Sequence, residues 1–137
     1  MTPARNGQNP KDRVAACKPD LSLVPPAAMI YTALAMENGA AKYGAFNWRG
    51  NKVLARVYVA AALRHVLTWL DGEEKADDSG VPHLAHALAS LAILVDALET
   101  GNLIDDRPRS GAAARLLTAR PKRRPPRPRS RRKRKMP

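Results

Sequence analysis

One cysteine is too few for an internal disulfide, so Cys17 leaves the chain without a covalent staple, as suits a reducing cytosol. Long apolar runs are missing too. Arg64 and His65 break one, and Asp96 breaks another, before either reaches bilayer-spanning length. Met1 to Lys18 holds no apolar segment of the kind that makes a secretory leader. The expectation is a soluble cytoplasmic protein with no membrane partner. Acidic side chains are absent from a whole region: residues 107–137 hold 14 of the 24 Lys and Arg and none of the 12 Asp and Glu. The first 106 residues therefore carry 10 basic groups against 12 acidic ones, and the formal charge of +12 belongs to the tail. Paired cysteines, HExxH and a GxxxxGK[ST] loop are lacking as well, which sets aside the common zinc signatures and the phosphate-cradling loop.

What is present has the length of one domain, at 137 residues. Residues 1–17 are polar and read as a flexible lead-in. An ordered domain is expected over 18–106, opening with Lys18-Pro19-Asp20-Leu21-Ser22-Leu23-Val24-Pro25-Pro26. Ala27 to Glu37 predicts a first helix, rich in alanine and buried or held in a subunit interface, with Asn38-Gly39 as its stop. Val53 to Leu70 predicts a second helix. Its residues Val57, Ala61, Arg64, Thr68 and Asp71 share one stripe, and Tyr58, Ala62, His65 and Trp69 the next. Pro82 to about Thr100 predicts a third, with Pro82 at its start, Gly101 past its end, and Leu84, Leu88, Leu91, Val95 and Leu98 as its core stripe. The fold class is all-α: a bundle of about three main helices whose thin core is completed by oligomerisation, dimeric or tetrameric. Residues 107–137 form an Arg/Pro-rich tail that cannot pack a core and is expected to be disordered.

Three stretches offer chemistry. Between the first two helices, Lys42, Tyr43, Asn47, Trp48 and Arg49 mix aromatic faces, an amide and cations. They suit a nucleotide, but taken alone they are better read as a loop whose aromatics plug the core. Within the second helix, Arg64 requires a carboxylate or phosphate partner if it is buried, and His65 is either a ligand or a satisfied core histidine. Between the second and third helices, Glu73, Glu74, Asp77 and Asp78 crowd onto one turn, and His83 and His86 share one helix face just beyond it. Like charges at this density are costly unless a cation or a basic partner offsets them. Hard oxygen donors favour Mg²⁺ or Mn²⁺, without the alternating pattern of a calcium loop. A solvated acidic turn is the alternative.

The order of these stretches carries a resemblance. Lys18-Pro19-x-Leu21-Ser22-Leu23-Val24-Pro25 is followed by Gly39-Ala40-x-Lys42-Tyr43-Gly44-x-x-Asn47-Trp48-Arg49 and by Leu63-Arg64-His65-x-x-x-Trp69. Gly72-Glu73-Glu74 then leads through Asp78-Ser79-Gly80-x-Pro82-His83-Leu84-x-His86-Ala87. Over roughly residues 18–100 this resembles the phage dATP/dGTP diphosphohydrolase family, which is similar to the MazG-like all-α nucleotide pyrophosphohydrolases. The resemblance implies an oligomeric, metal-dependent enzyme cleaving dGTP or dATP to monophosphate and pyrophosphate. In the cytoplasm of a phage-infected host it would shape the nucleotide pool for synthesis of 2-aminoadenine genomes. It implies Glu73, Glu74, Asp77 and Asp78 as ligands of Mg²⁺ or Mn²⁺, and His83 and His86 as catalytic residues. Lys42, Arg49 and Arg64 would take phosphate charge, Tyr43, Asn47 and Trp48 the base or sugar, and His65 would join the substrate site. Ala76 stands where an acidic residue is expected, with Asp77 one position later. The competing reading is a nucleic-acid-binding or packaging protein whose tail neutralises phosphates without sequence preference and whose helices only oligomerise.

Overall fold

The computed structural model describes residues 9–119. The flexibility expected of 1–8 and the disorder expected of 120–137 lie outside the described residues. Where the rest of the lead-in was expected to be flexible, Pro10–Ala15 forms a short helix, α1, with the Asn9 side chain accepting from the Lys11 N–H at 3.0 Å. A single 3₁₀ turn, Leu21–Leu23, precedes α2 (Pro26–Tyr43), α3 (Asn47–Gly50), β1 (Val53–Leu54), α4 (Ala55–Leu70), α5 (His83–Glu99) and β2 (Leu103–Ile104). These elements belong to one unit, Met1–Arg107; Pro108–Pro137 forms another, in which α6 (Ala112–Thr118) buries no residue. The fold is all-α, with three long helices as the periodicity predicts. The addition is a minimal parallel pairing of Val53 with Leu103 and Leu54 with Ile104, which ties the entry of α4 to the exit of α5.

The first helix departs from its predicted end. Asn38-Gly39 does not stop α2, which runs on to Tyr43 and ends at Gly44 with φ +90°. A glycine inside a helix costs only about 1 kcal/mol relative to alanine, and continued packing against α5 overrides that local preference. The other two ends follow the sequence closely. Past α4, the Gly72 N–H bonds to the Trp69 carbonyl and the Glu73 N–H to that of Thr68. Past α5, Gly101 repeats the pattern to Leu98 and Asn102 to Ala97. Both are left-handed glycine caps of the Schellman kind, and they throw the residues after them, Glu73 and Asn102, back across the bundle.

Helix α5 lies between α2 and α4, and the core around it is made of alanine. Ala35 of α2 meets Ala85 and Ala89 of α5, flanked by Met36 and Val81. Ala55, Ala62, Ala87 and Ala97 are buried too, and Val53 is the one large side chain under 2 % exposed among the described residues. The leucine stripe predicted for α5 is not the core. Leu91, Val95 and Leu98 are 48 %, 62 % and 60 % exposed, because alanines occupy the places where the helices approach most closely. Met29, Ile30 and Leu34 of α2 are likewise exposed among the described residues.

Gly39 within α2 and Gly44 just past its end should respond oppositely to alanine. A Cβ on either meets nothing within 4 Å, so only backbone preference decides. Gly39→Ala should stabilise by about 0.5–1 kcal/mol. Gly44→Ala, forced to φ +90°, should destabilise by about 1–2 kcal/mol. Urea midpoints of the two variants against the parent check both signs.

Candidate active site

All three histidines of the chain meet where α4 faces the start of α5. His83 opens α5 and is 6 % exposed; its Nδ1 lies 2.9 Å from His65 Nδ1 and its Nε2 lies 3.0 Å from Glu73 Oε1. The His65 ring stacks on His86 at 4.6 Å and 16°. Chemistry fixes the direction of these bonds. A carboxylate only accepts, so His83 Nε2 donates to Glu73; in neutral His83 the Nδ1 then accepts from His65 Nδ1–H. That leaves the His65 Nε2 lone pair available. Ser79 accepts from the Val81 N–H at 3.2 Å and has its hydroxyl proton free for His86 Nε2 at 3.0 Å.

Local backbone geometry builds this cluster. The acidic stretch is a tight excursion closed by a bridge between Lys75 and Pro82, and its four carboxylates are all exposed to solvent. The Ala76 N–H bonds the Val81 carbonyl at 3.0 Å, and the His83 N–H bonds the Glu74 carbonyl at 3.0 Å. Ala76 itself is buried at 7 %. The four carboxylates consequently disperse. Glu73 engages His83, while Asp78 pairs with Lys42 of α2 at 3.3 Å, the cation holding it below the usual aspartate range. Glu74 lines a separate cleft with Tyr31, Trp69, Lys75, Pro82 and Leu84. Asp77 is exposed. No group of three or more His, Cys, Asp or Glu among the described residues is arranged to hold a metal ion.

The remaining sequence-derived residues divide into two groups. Tyr43 and Asn47 line an open groove of about 380 Å³ with Val57, Tyr58, Ala61 and Ser90. Trp48 and Arg49, by contrast, are held by Asp96 of α5. Trp48 Nε1 donates to Asp96 Oδ2 at 2.7 Å, and Arg49 gives Nε to Oδ2 at 2.9 Å and Nη2 to Oδ1 at 2.7 Å. Both partners hold the Asp96 carboxyl below its ordinary pKa, Arg49 foremost. Arg64 is exposed beside Arg56, Val57, Ala60 and Asp106, so the buried ion pair weighed for it from the sequence does not form.

A family model for the N-terminal part of dATP/dGTP diphosphohydrolases matches residues 8–107. The chain belongs to the dATP/dGTP diphosphohydrolase family. A dATP/dGTP diphosphohydrolase of Salmonella phage PMBT28 is 34% identical over 95 residues, which cover 69% of this chain and 32% of that protein. The chain thus spans about a third of the length of this phage relative. No solved structure matches it. The stretch shared with the family takes in the histidine cluster, the acidic excursion and the groove, and stops where the second unit begins. Sequence reasoning missed the roles of two of its polar contributors, Asp96 and Asn102. Asp96 was noted only as a break in an apolar run, although a carboxylate inside a packed helix needs a partner just as an arginine does. Asn102 is a residue just past a helix end and carries no signal of its own, whereas Ser79 stands in the Asp78-Ser79-Gly80 motif and its bond to His86 appears only in the fold. Among the described residues, no helix is long and apolar enough to cross a membrane.

The cluster predicts an acid-sensitive fold. His65 and His86 both sit below the ordinary imidazole value of 6.5, burial being the largest cause in each. For His65 the neighbouring His86, His83 and Arg64 add to this against Asp78; for His86 the pull of Asp78 opposes Lys42 and His83. The unfolded chain therefore binds more protons in the window below 6.5, and stability falls as pH drops through it. Thermal midpoints should decline from about pH 7.5 to about pH 5.5, and a His65→Gln/His86→Gln protein should decline less over that interval.

Proposed function

We propose that this chain hydrolyses purine deoxynucleoside triphosphates, dGTP or dATP, to the monophosphate and pyrophosphate. The observation that carries the reading is the convergence of all three histidines and Glu73 beside the Lys42–Asp78 pair, in a chain of this family. The name of the phage relative supports the substrate class. In the reaction, water attacks the α-phosphorus, its proton passes to a base, and pyrophosphate leaves. His65 Nε2 is an acceptor for that proton, with His83 and Glu73 fixing the tautomer that exposes it. His86, steadied by Ser79, stacks on His65 and keeps its ring from turning. Lys42 is the cation placed to take phosphate charge, and the groove of Tyr43, Asn47, Tyr58 and Ser90 suits base and sugar. Arg64 lies on the exposed face of α4, free to receive phosphate only from outside this cluster.

The reading includes Mg²⁺ or Mn²⁺. The donors do not form a closed cage, but hard cations at phosphate sites commonly use one or two carboxylates and take their other ligands from phosphate and water. Of the four carboxylates read as ligands, Asp77 and Asp78, both exposed, are the pair that would meet such an ion, which would neutralise triphosphate charge, while Glu73 is engaged by His83 and Glu74 faces a separate cleft. Self-assembly belongs to it as well, since Leu91, Val95 and Leu98 form an exposed apolar face that the other described residues leave uncovered. Shaping of a phage nucleotide pool in the host cytoplasm, including that for 2-aminoadenine genomes, would be the consequence. A second reading, non-specific binding of nucleic acid, rests on the 14 basic and no acidic residues of 107–137.

One assay separates these readings. The protein is incubated with each deoxynucleoside triphosphate plus Mg²⁺ or Mn²⁺, and the released phosphate species is identified. Pyrophosphate from dGTP or dATP is expected, with a large loss of rate, about 100-fold or more, in His65→Ala and His86→Ala proteins. Orthophosphate, or no product, removes the enzyme reading. A chain ending at Arg107 should keep its turnover; if turnover survives but salt-sensitive DNA binding is lost, the tail acts separately.

A further inference from the structure

The turn between α2 and β1 is fastened at nearly every polar point. Asp96 takes three hydrogen bonds from Trp48 and Arg49, and its bidentate grip on the guanidinium gives direction as well as strength. Asn102, thrown across the bundle by the cap of α5, donates its amide to the carbonyls of both Trp48 and Asn51. The Asn51 side chain bonds the Asn47 carbonyl at 2.9 Å. Phe46 is held at φ 56°, a left-handed conformation that a bulky aromatic does not adopt without support, and its ring lies against Trp48 and under Arg49. Such strain persists only where the surroundings over-determine it. The exception in this turn is the Asn47 side-chain amide. It belongs to a half-buried residue that lines the open groove together with Tyr58 and Ser90, and it makes no side-chain hydrogen bond within the described residues.

We infer that Asp96 is a positioning residue for nucleotide binding: by gripping Trp48 and Arg49 it fixes the Asn47 amide at the groove, where that amide reads a polar edge of the bound nucleoside. This deepens the reading given under Proposed function and rests on it. Trp48 and Arg49 then act through the turn and do not touch the nucleotide. An amide offers a donor and an acceptor side by side, which is what a purine edge can match in two bonds. A loosened turn would carry the Asn47 amide through many positions at the groove, and binding would bear the cost of ordering it.

The test uses steady-state kinetics on the full chain with Asp96→Asn, Asn47→Ala and the double variant, alongside thermal midpoints. Asp96→Asn retains one acceptor for Trp48 and loses the ion pair. We expect KM for the preferred nucleotide to rise about 10-fold with kcat within about 2-fold of the parent, since only uniform binding is lost. Asn47→Ala should raise KM about as much, and the double variant should be no worse than either single one. Additive effects, a fall in kcat at unchanged KM, or an unchanged KM in a folded Asp96→Asn protein overturn the inference. Arg49→Ala gives a second route to the same loosening if Asp96→Asn does not fold, and it must show the same KM rise. A parent protein that turns over no nucleotide defeats the functional reading itself, which is a separate result from a parent that works and an Asp96→Asn variant that matches it.

Discussion

The close approach of α5 to its neighbours is the constraint on which the site depends. Ala35, Ala85 and Ala89 let α2 and α5 come together with almost no side-chain volume between them. Buried alanines elsewhere on α4 and α5 do the same work. At that spacing, polar side chains from different helices reach one another directly. His65 of α4 contacts His83 and stacks on His86 of α5, and Asp96 of α5 reaches Trp48 and Arg49. Larger core residues would push the helices apart and leave the same groups facing water. An alanine core brings little apolar burial per residue, so the bundle gains less from hydrophobic transfer than a leucine core would. What it gains is proximity.

Proximity alone does not aim a side chain, and the two glycine caps supply direction. Beyond each helix end, a left-handed glycine reverses the chain and delivers one polar residue inward: Glu73 to His83 after α4, and Asn102 to the Trp48 and Asn51 carbonyls after α5. The short β1–β2 pairing locks the second of these reversals to the entry of α4. Backbone geometry at two glycines thus governs both the histidine cluster and the turn that carries Asn47. The two regions share α5 as their common wall, with His83 and His86 near its start and Ser90 and Asp96 further along. A shift of that helix would disturb both.

Much of this was legible in the sequence. The ends of α4 and α5, the proline opening the third helix and the three-helix class followed from local signals that tertiary packing did not contest. Asn38-Gly39 misled because a weak helix-stopping preference was set against the packing of a long helix, and packing won. The leucine stripe of α5 misled for a different reason: periodicity finds an apolar face, but cannot say whether that face is used within the chain. The pairing of His83 with His86 was visible from their spacing, whereas His65 joined them only through the packing of α4. By type Trp48 and Arg49 suit a ligand, and in the fold both are also held by a carboxylate. Their partner, Asp96, lies 47 or more positions away, where no local pattern connects them.

The acidic stretch shows why composition and site are different things. From the sequence, Ala76 interrupts a run of carboxylates, and Asp77 looks like a replacement displaced by one position. In the fold, Ala76 is a buried backbone anchor, bonded to Val81 and accepting from Gly80, while Asp77 beside it is exposed. An acidic side chain at 76 would have to be buried or would open the excursion, at the cost of the bridge that sets up His83. Position 76 serves the backbone of the excursion and Asp77 offers its carboxylate to solvent, so the two positions answer to different demands. Glu73 is spent on His83, and Asp78 balances Lys42. The negative charge that first marked this stretch is distributed among separate tasks, and what unites them is the placement of three histidines.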